Sequence, residues 1–165
     1  MNWQREVSRL LEQEHQEHMD LLGQLEPRLA RAARVGGGVA DPELARLCVR
    51  LTGHLDREVE RHFQFEEQKL FPRLAECGDG DIVGLLSDEH LAIREVAAEL
   101  LPLARAAGRG ELPAADAPAL LRGALELIER QAAHIQKESM ALLPLLEDLL
   151  DDDTDRELAL AYAAG

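Results

Sequence analysis

A chain of 165 residues with 46% hydrophobic side chains is long enough for one domain with a buried core and too short for a second full one. Its formal charge of −14 comes from 18 Lys and Arg against 32 Asp and Glu. No basic run interrupts that excess to neutralise a phosphate backbone, so nucleic acid is excluded as an expected partner.

Leu, Ala, Glu and Arg dominate, with only three Phe, one Trp and one Tyr, which is the usage of helices packed on helices. No apolar run approaches the roughly 20 residues of a membrane span, so no membrane association is expected. Cys48 and Cys77 lack the spacing of a zinc or redox motif, and a reducing cytoplasmic location fits them.

The first predicted helix runs from about Trp3 to Arg34 and stops at Gly36-Gly37-Gly38, each of which costs a helix about 1 kcal/mol relative to Ala. The second opens at Asp41-Pro42-Glu43, where Asp can cap free amides and Pro suits the first helical position, and it ends near Glu76 before Gly78-Asp79-Gly80. The third spans about Asp81 to Ala107. After Gly108-Arg109-Gly110 and Pro113, a fourth opens at Asp116-Ala117-Pro118 and continues to about Leu150. Asp151-Asp152-Asp153 breaks the pattern, leaving Thr154 to Ala164 as an expected short helix or acidic solvated tail. Short connections favour antiparallel neighbours, so the expected fold is all-α: an up-down-up-down four-helix bundle over residues 1–150, with 151–165 appended.

Each long helix carries an apolar stripe at the three- and four-residue steps that keep side chains on one face. The stripes read Val7, Leu11, His15, His18, Leu22, Leu25, Leu29; then Leu51, Leu55, Val59, His62, Glu66, Leu70; then Leu86, His90, Ile93, Ala97, Leu100; and finally Leu127, Gln131, His134, Glu138, Leu142, Leu145. Every stripe contains a histidine, and two contain a glutamate one turn later. HxxxExxxLxP runs from His62 to Pro72 and again from His134 to Pro144, while Glu14-His15 and Glu89-His90 precede those histidines by similar distances. The chain thus reads as two helical hairpins of one pattern, each supplying a lone His and an HxxxE pair.

An unpaired carboxylate facing a dry core costs several kcal/mol, and a shared cation removes that cost. Imidazoles with carboxylate oxygens suit iron, manganese or zinc. The symmetry assigns His15 and His62 to one metal and His90 and His134 to the other. Glu66 and Glu138 bridge, since shared carboxylates neutralise two cations that would otherwise repel. With a further bridging oxide or hydroxide, each metal keeps about one open position for a small ligand.

At these residues the sequence resembles the hemerythrin-like, or HHE, family of non-heme diiron four-helix bundles, from about Val7 to Leu150. All six positions match: His15, His62, Glu66, His90, His134 and Glu138. The resemblance implies two non-heme irons, with O2, NO or peroxide as the small ligand. Oxygen carriers in the family have a fifth ligand histidine one turn after the third-helix His; Arg94 stands there, which argues against reversible oxygen carriage. The remaining set is closer to the repair-of-iron-centres branch and to iron-sensing domains, so the alternative expectation is iron handling or iron and oxygen sensing without catalysis. Arg94 is expected to steer anions from the solvent side or to pair with Glu95 or Glu99.

Four further residues are expected to stay outside the metal shell. His18 corresponds to Ile93 in the repeat, so it reads as a packed or supporting histidine. His54 corresponds to Glu126 and lies off the main stripe. Tyr162 is expected beyond the bundle, and Cys77 reads as an incidental loop thiol.

Overall fold

The structure is a computed structural model that describes residues 3–35 and 41–164. It contains α1 (Glu6–Val35), α2 (42–76), α3 (Gly80–Gly108), α4 (117–149) and α5 (Asp152–Ala164), with a single 3-10 turn at Ala114–Asp116. α1 packs on α2, α2 on α3, α3 on α4 and α4 back on α1, closing the expected antiparallel ring. No described helix is long and apolar enough to cross a membrane. The expected stop at Gly36-Gly37-Gly38 lies outside the described residues.

The other helix ends follow their local chemistry. Asp41 caps α2 by accepting from the Glu43 amide at 3.0 Å, with Pro42 in the first turn. α2 and α3 end at Gly78 (φ 102°) and Gly110 (φ 70°), left-handed positions that favour glycine. In both turns the next amide reaches back: Asp79 N to Leu74 O at 3.0 Å and Glu111 N to Ala106 O at 2.9 Å.

The repeated HxxxExxxLxP motif also carries a backbone signal. In both helices the turn that begins at the glutamate is widened to a π turn, Glu66–Leu70 and Glu138–Leu142. Phe71 N bonds to Glu66 O, and Leu143 N to Glu138 O. Pro72 and Pro144 come immediately after those amides. A proline has no N–H, and its ring crowds the carbonyl four residues back, so a widened turn accommodates it without breaking the helix. The added residue shifts the buried face: Leu143 and Leu146 are buried, whereas Leu145 of the expected stripe is only partly so. A third widened turn, Leu55–Val59, has no counterpart in α4. Pro27 and Pro102 lie inside α1 and α3, each twelve residues beyond its lone histidine, which extends the repeat to the upstream helices.

The core forms two apolar blocks with a polar layer between them. One holds Leu22, Leu25, Leu51, Ile93, Leu100 and Leu127; the other holds Val7, Leu11, Leu70, Leu86, Leu142 and Leu146. Cys48 is buried and Cys77 exposed, and both are free; burial pushes the Cys48 thiol up to about 11, which leaves it unreactive.

Of the two expectations for this segment the short helix holds, with Asp152 and Asp153 exposed, but it is docked on the bundle and is not a free tail. α5 packs along α1, burying Asp155, Leu158, Ala159 and Tyr162. The Asp155 carboxylate accepts from the amides of Glu6 at 2.7 Å and Val7 at 3.0 Å, satisfying donors that open α1. Leu150 is extended (φ −82°, ψ 130°) and turns the chain back to allow this.

Candidate metal centre

His15, His62, Glu66, His90, His134 and Glu138 meet in the polar layer, all buried. Their ligand atoms form two groups, His15/His62/Glu66/Glu138 and Glu66/His90/His134/Glu138, with the atoms of each group within 4.8 Å of one another. Each carboxylate faces both groups. Glu66 Oε1 lies 3.2 Å from His62 Nε2 and its Oε2 lies 3.3 Å from His90 Nε2. Glu138 Oε2 lies 2.9 Å from His15 Nε2, and its Oε1 lies 2.9 Å from His134 Nε2.

These short separations do not amount to hydrogen bonds. His15 Nε2 and all four oxygens of Glu66 and Glu138 are buried without a hydrogen-bond partner. Five orphaned polar atoms in one layer would cost several kcal/mol in a dry core. Imidazole nitrogens and carboxylate oxygens are donors for a first-row divalent or trivalent cation, so the residues present fit a metal. Electrostatics agrees. Burial alone would raise the Glu138 carboxyl, but His134 and its neighbours hold it well below the usual range. Burial disfavours charge on His62 and His90, yet Glu66, Glu138 and their outer carboxylates outweigh it; His62 is raised well above its usual value and His90 to about 9. The buried negative charge calls for positive charge, from protons or from metal.

A second layer of acids fixes the rings. His62 donates from Nδ1 to Glu14 at 2.9 Å, His134 to Glu89 at 2.9 Å, and His90 to Glu67 at 2.7 Å. Each bond turns Nε2 inward and raises its basicity. The repeat breaks at the fourth ring: Ser139 occupies the place of Glu67, and its Oγ stands 3.5 Å from His15 Nδ1 while donating to Glu12 at 3.2 Å.

Arg94 does not turn to solvent or to Glu95 and Glu99. It forks onto Glu60 (3.0 and 3.1 Å) and reaches Glu67 at 2.7 Å, with its guanidinium 5.3 Å from the Phe63 ring centroid. Arg94 therefore anchors the carboxylate that orients His90. Phe63 stacks on His90 at 3.7 Å and 10°, and Phe71 lies beyond at 5.5 Å. The space next to the centre is on the other side: a cavity of about 240 Å³ bordered by His15, His62, His134 and Glu138 and walled outward by His18, His54 and Gln131.

His18, buried, donates from Nε2 to Gln131 Oε1 and shares its Nδ1 with His54 Nε2; the two rings stack at 4.2 Å. Burial, followed by the neighbouring His54, pushes His18 down to about 3, so it is neutral. Neither His18 nor His54 joins the two groups of converging atoms. Tyr162 corrects its expected place beyond the bundle: it is buried, donates its hydroxyl to Glu14, and stands 3.5 Å from His62 Nδ1. The signal that could have found it is the spacing of Asp155, Leu158, Ala159 and Tyr162, a stripe like those of the longer helices.

No curated protein matches the sequence closely enough to add a relative. The family model of the hemerythrin HHE cation-binding domain matches residues 6–146, which takes in every residue of the polar layer and stops before α5. The chain belongs to the hemerythrin HHE cation-binding family.

Proposed function

We propose that the polar layer holds two non-heme iron ions, with His15 and His62 serving one, His90 and His134 the other, and Glu66 and Glu138 bridging, together with an oxo or hydroxo group. The observation that carries this reading is the set of five buried, partnerless atoms, His15 Nε2 and the four oxygens of Glu66 and Glu138, the two carboxylates that both ligand groups share. Manganese or zinc would suit the same donors. Iron there supplies one-electron redox chemistry and open coordination for O2, NO or peroxide.

The chain's own residues do the rest. Glu14, Glu67 and Glu89 orient three imidazoles, while Phe63 and Phe71 exclude water from the His90 side. His18 and Gln131, bonded to each other, form part of the outer wall of the cavity beside the centre. We take 1–150 as the metal-binding unit with 151–165 docked on it, and a cytoplasmic location is supported by the two free cysteines. Metal analysis of anaerobically purified protein, with optical spectra before and after air, tests the reading. Two irons per chain and a new oxo-to-iron band support it; one zinc or no metal overturns it.

One observation favours iron or oxygen sensing without catalysis: Tyr162 ties α5 to Glu14 and so to His62. In that case iron and oxygen supply would change proteolysis of 152–164 more than any turnover rate.

A further inference from the structure

Tyr162 is the only tyrosine in the chain, and it sits on α5, outside the segment that matches the family. A phenol buried for packing alone would need a partner for its hydroxyl, and many would serve. The one it has is Glu14, the carboxylate that also accepts from His62 Nδ1. Its oxygen is 3.5 Å from that ring nitrogen, while His62 Nε2 belongs to the converging ligand atoms. Phenol, carboxylate and imidazole thus form a continuous contact path from α5 into the polar layer.

The other half of the molecule lacks this path. Glu89 holds His134 as Glu14 holds His62, and each also meets a cation, Lys137 Nζ at 2.7 Å on Glu89 and the Arg61 guanidinium on Glu14, but the chain's one tyrosine is bonded to Glu14. A tyrosine able to give up one electron needs four things: a base on its hydroxyl, a short path to the oxidant, shielding from solvent, and no easy escape as a charged ring. Glu14 is the base and His62 the path. Phe65, 4.5 Å away, and burial supply the shield. The Arg61 guanidinium lies 4.7 Å from the ring centroid. A cation there favours the neutral, electron-rich ring and disfavours a positively charged one, so an electron can leave only together with the proton.

Resting on the diiron reading above, we propose that Tyr162 is a redox-active residue that delivers one electron to the metal pair through His62 while its hydroxyl proton passes to Glu14. The oxidant is hydrogen peroxide, which takes two electrons and two protons on reduction to two waters. Tyr162 supplies one electron and a ferrous ion the other; the phenolic O–H bond breaks, its proton rests on Glu14, and the two protons in the waters come from solvent. The product on the chain is a neutral tyrosyl radical.

The test uses the full chain, loaded anaerobically with ferrous iron, mixed with hydrogen peroxide and freeze-quenched for electron paramagnetic resonance. Wild type gives a tyrosyl signal whose hyperfine splitting collapses when the protein is made with ring-deuterated tyrosine. Tyr162→Phe loses the signal while iron content and the optical change on oxidation persist. Glu14→Gln, which keeps an acceptor oxygen but is a far poorer base, loses most of it. Iron that binds and is oxidised by peroxide without a tyrosyl radical in wild type overturns this inference and leaves the diiron reading standing. A chain that binds no iron overturns both.

Discussion

Glu14 precedes His15 in the sequence but serves His62 on the neighbouring helix, accepting from its Nδ1 at 2.9 Å. Glu89 repeats the arrangement, preceding His90 and holding His134 at the same 2.9 Å. The Glu-His dipeptides of α1 and α3 therefore present one inward ligand candidate and one carboxylate that orients the ligand candidate of the adjoining helix. Because each such bond sets ring orientation and basicity, Glu14→Ala and Glu89→Ala should each weaken metal binding by about 10–100-fold. Competition with a chelator of known affinity measures this, and unchanged affinity in both variants would remove the supporting role of these acids.

Loss of a carboxylate common to both ligand groups should be worse than loss of a supporting acid. Glu66→Ala or Glu138→Ala removes a carboxylate that faces both ligand groups, so each variant should lose metal from both positions. His18→Ala, whose ring bonds to His54 and Gln131, should retain both. Metal content by mass spectrometry distinguishes them; equal loss in all three would place His18 among the ligands.

Chelation should destabilise the fold, because the unfolded chain lacks the assembled site. With free metal at 100 to 1,000 times its dissociation constant, linkage contributes about 3–4 kcal/mol. For a chain of this size that corresponds to a fall of about 10 °C in Tm on metal removal. A calorimetric midpoint indifferent to chelator would contradict the core placement of the ligands.

Arg94 stands one turn after His90 and is committed to Glu60 and Glu67. A guanidinium has no lone pair to offer a metal, so oxygen mixed with the diferrous protein should oxidise it irreversibly. In stopped-flow experiments a long-lived adduct that returns to the diferrous state on deoxygenation would identify an oxygen carrier. Arg94→Ala should cost less than about 1 kcal/mol of stability, as its ion pairs are partly exposed. It should also weaken metal binding on the His90 side, because Glu67 loses its second anchor.

His18 supplies the pH dependence. Its ring is held neutral, with its pKa depressed to about 3 by burial and then by His54, against about 6.5 when unfolded. Below the unfolded value the unfolded chain takes up a proton that the folded chain refuses. The contribution is therefore fully present above about pH 6.5 and is lost as pH falls toward about 3, with a limiting slope of about 1.4 kcal/mol per pH unit. Urea unfolding of metal-free wild type and His18→Gln across that range should show the two stabilities converging as pH falls. Parallel curves would mean that His18 accepts its proton in the folded state.

The sequence by itself determined the four long helices, their antiparallel order and the six polar residues of the buried layer. Those follow from local rules: a 3.6-residue period puts His62 and Glu66 on one face, glycine in a left-handed conformation ends α2 and α3, and a twice-written HxxxExxxLxP reveals the two halves. The tertiary structure alone decided which acid meets which histidine, because contact across a helix interface depends on axial offset and rotation between helices, neither of which is written in the period of one helix. That is why Glu14 reaches His62, and why Arg94 finds Glu60 and Glu67 on α2 instead of Glu95 and Glu99 on its own helix. The cavity's position on the His15 and His62 side follows from the same packing, since Phe63 and Phe71 fill the space around His90. Tyr162 depended on one more event, the extended residue Leu150 that reverses the chain. A stripe of apolar residues says that α5 must bury a face, but only the direction taken at that turn decides that the face is buried against α1, with the phenol on Glu14.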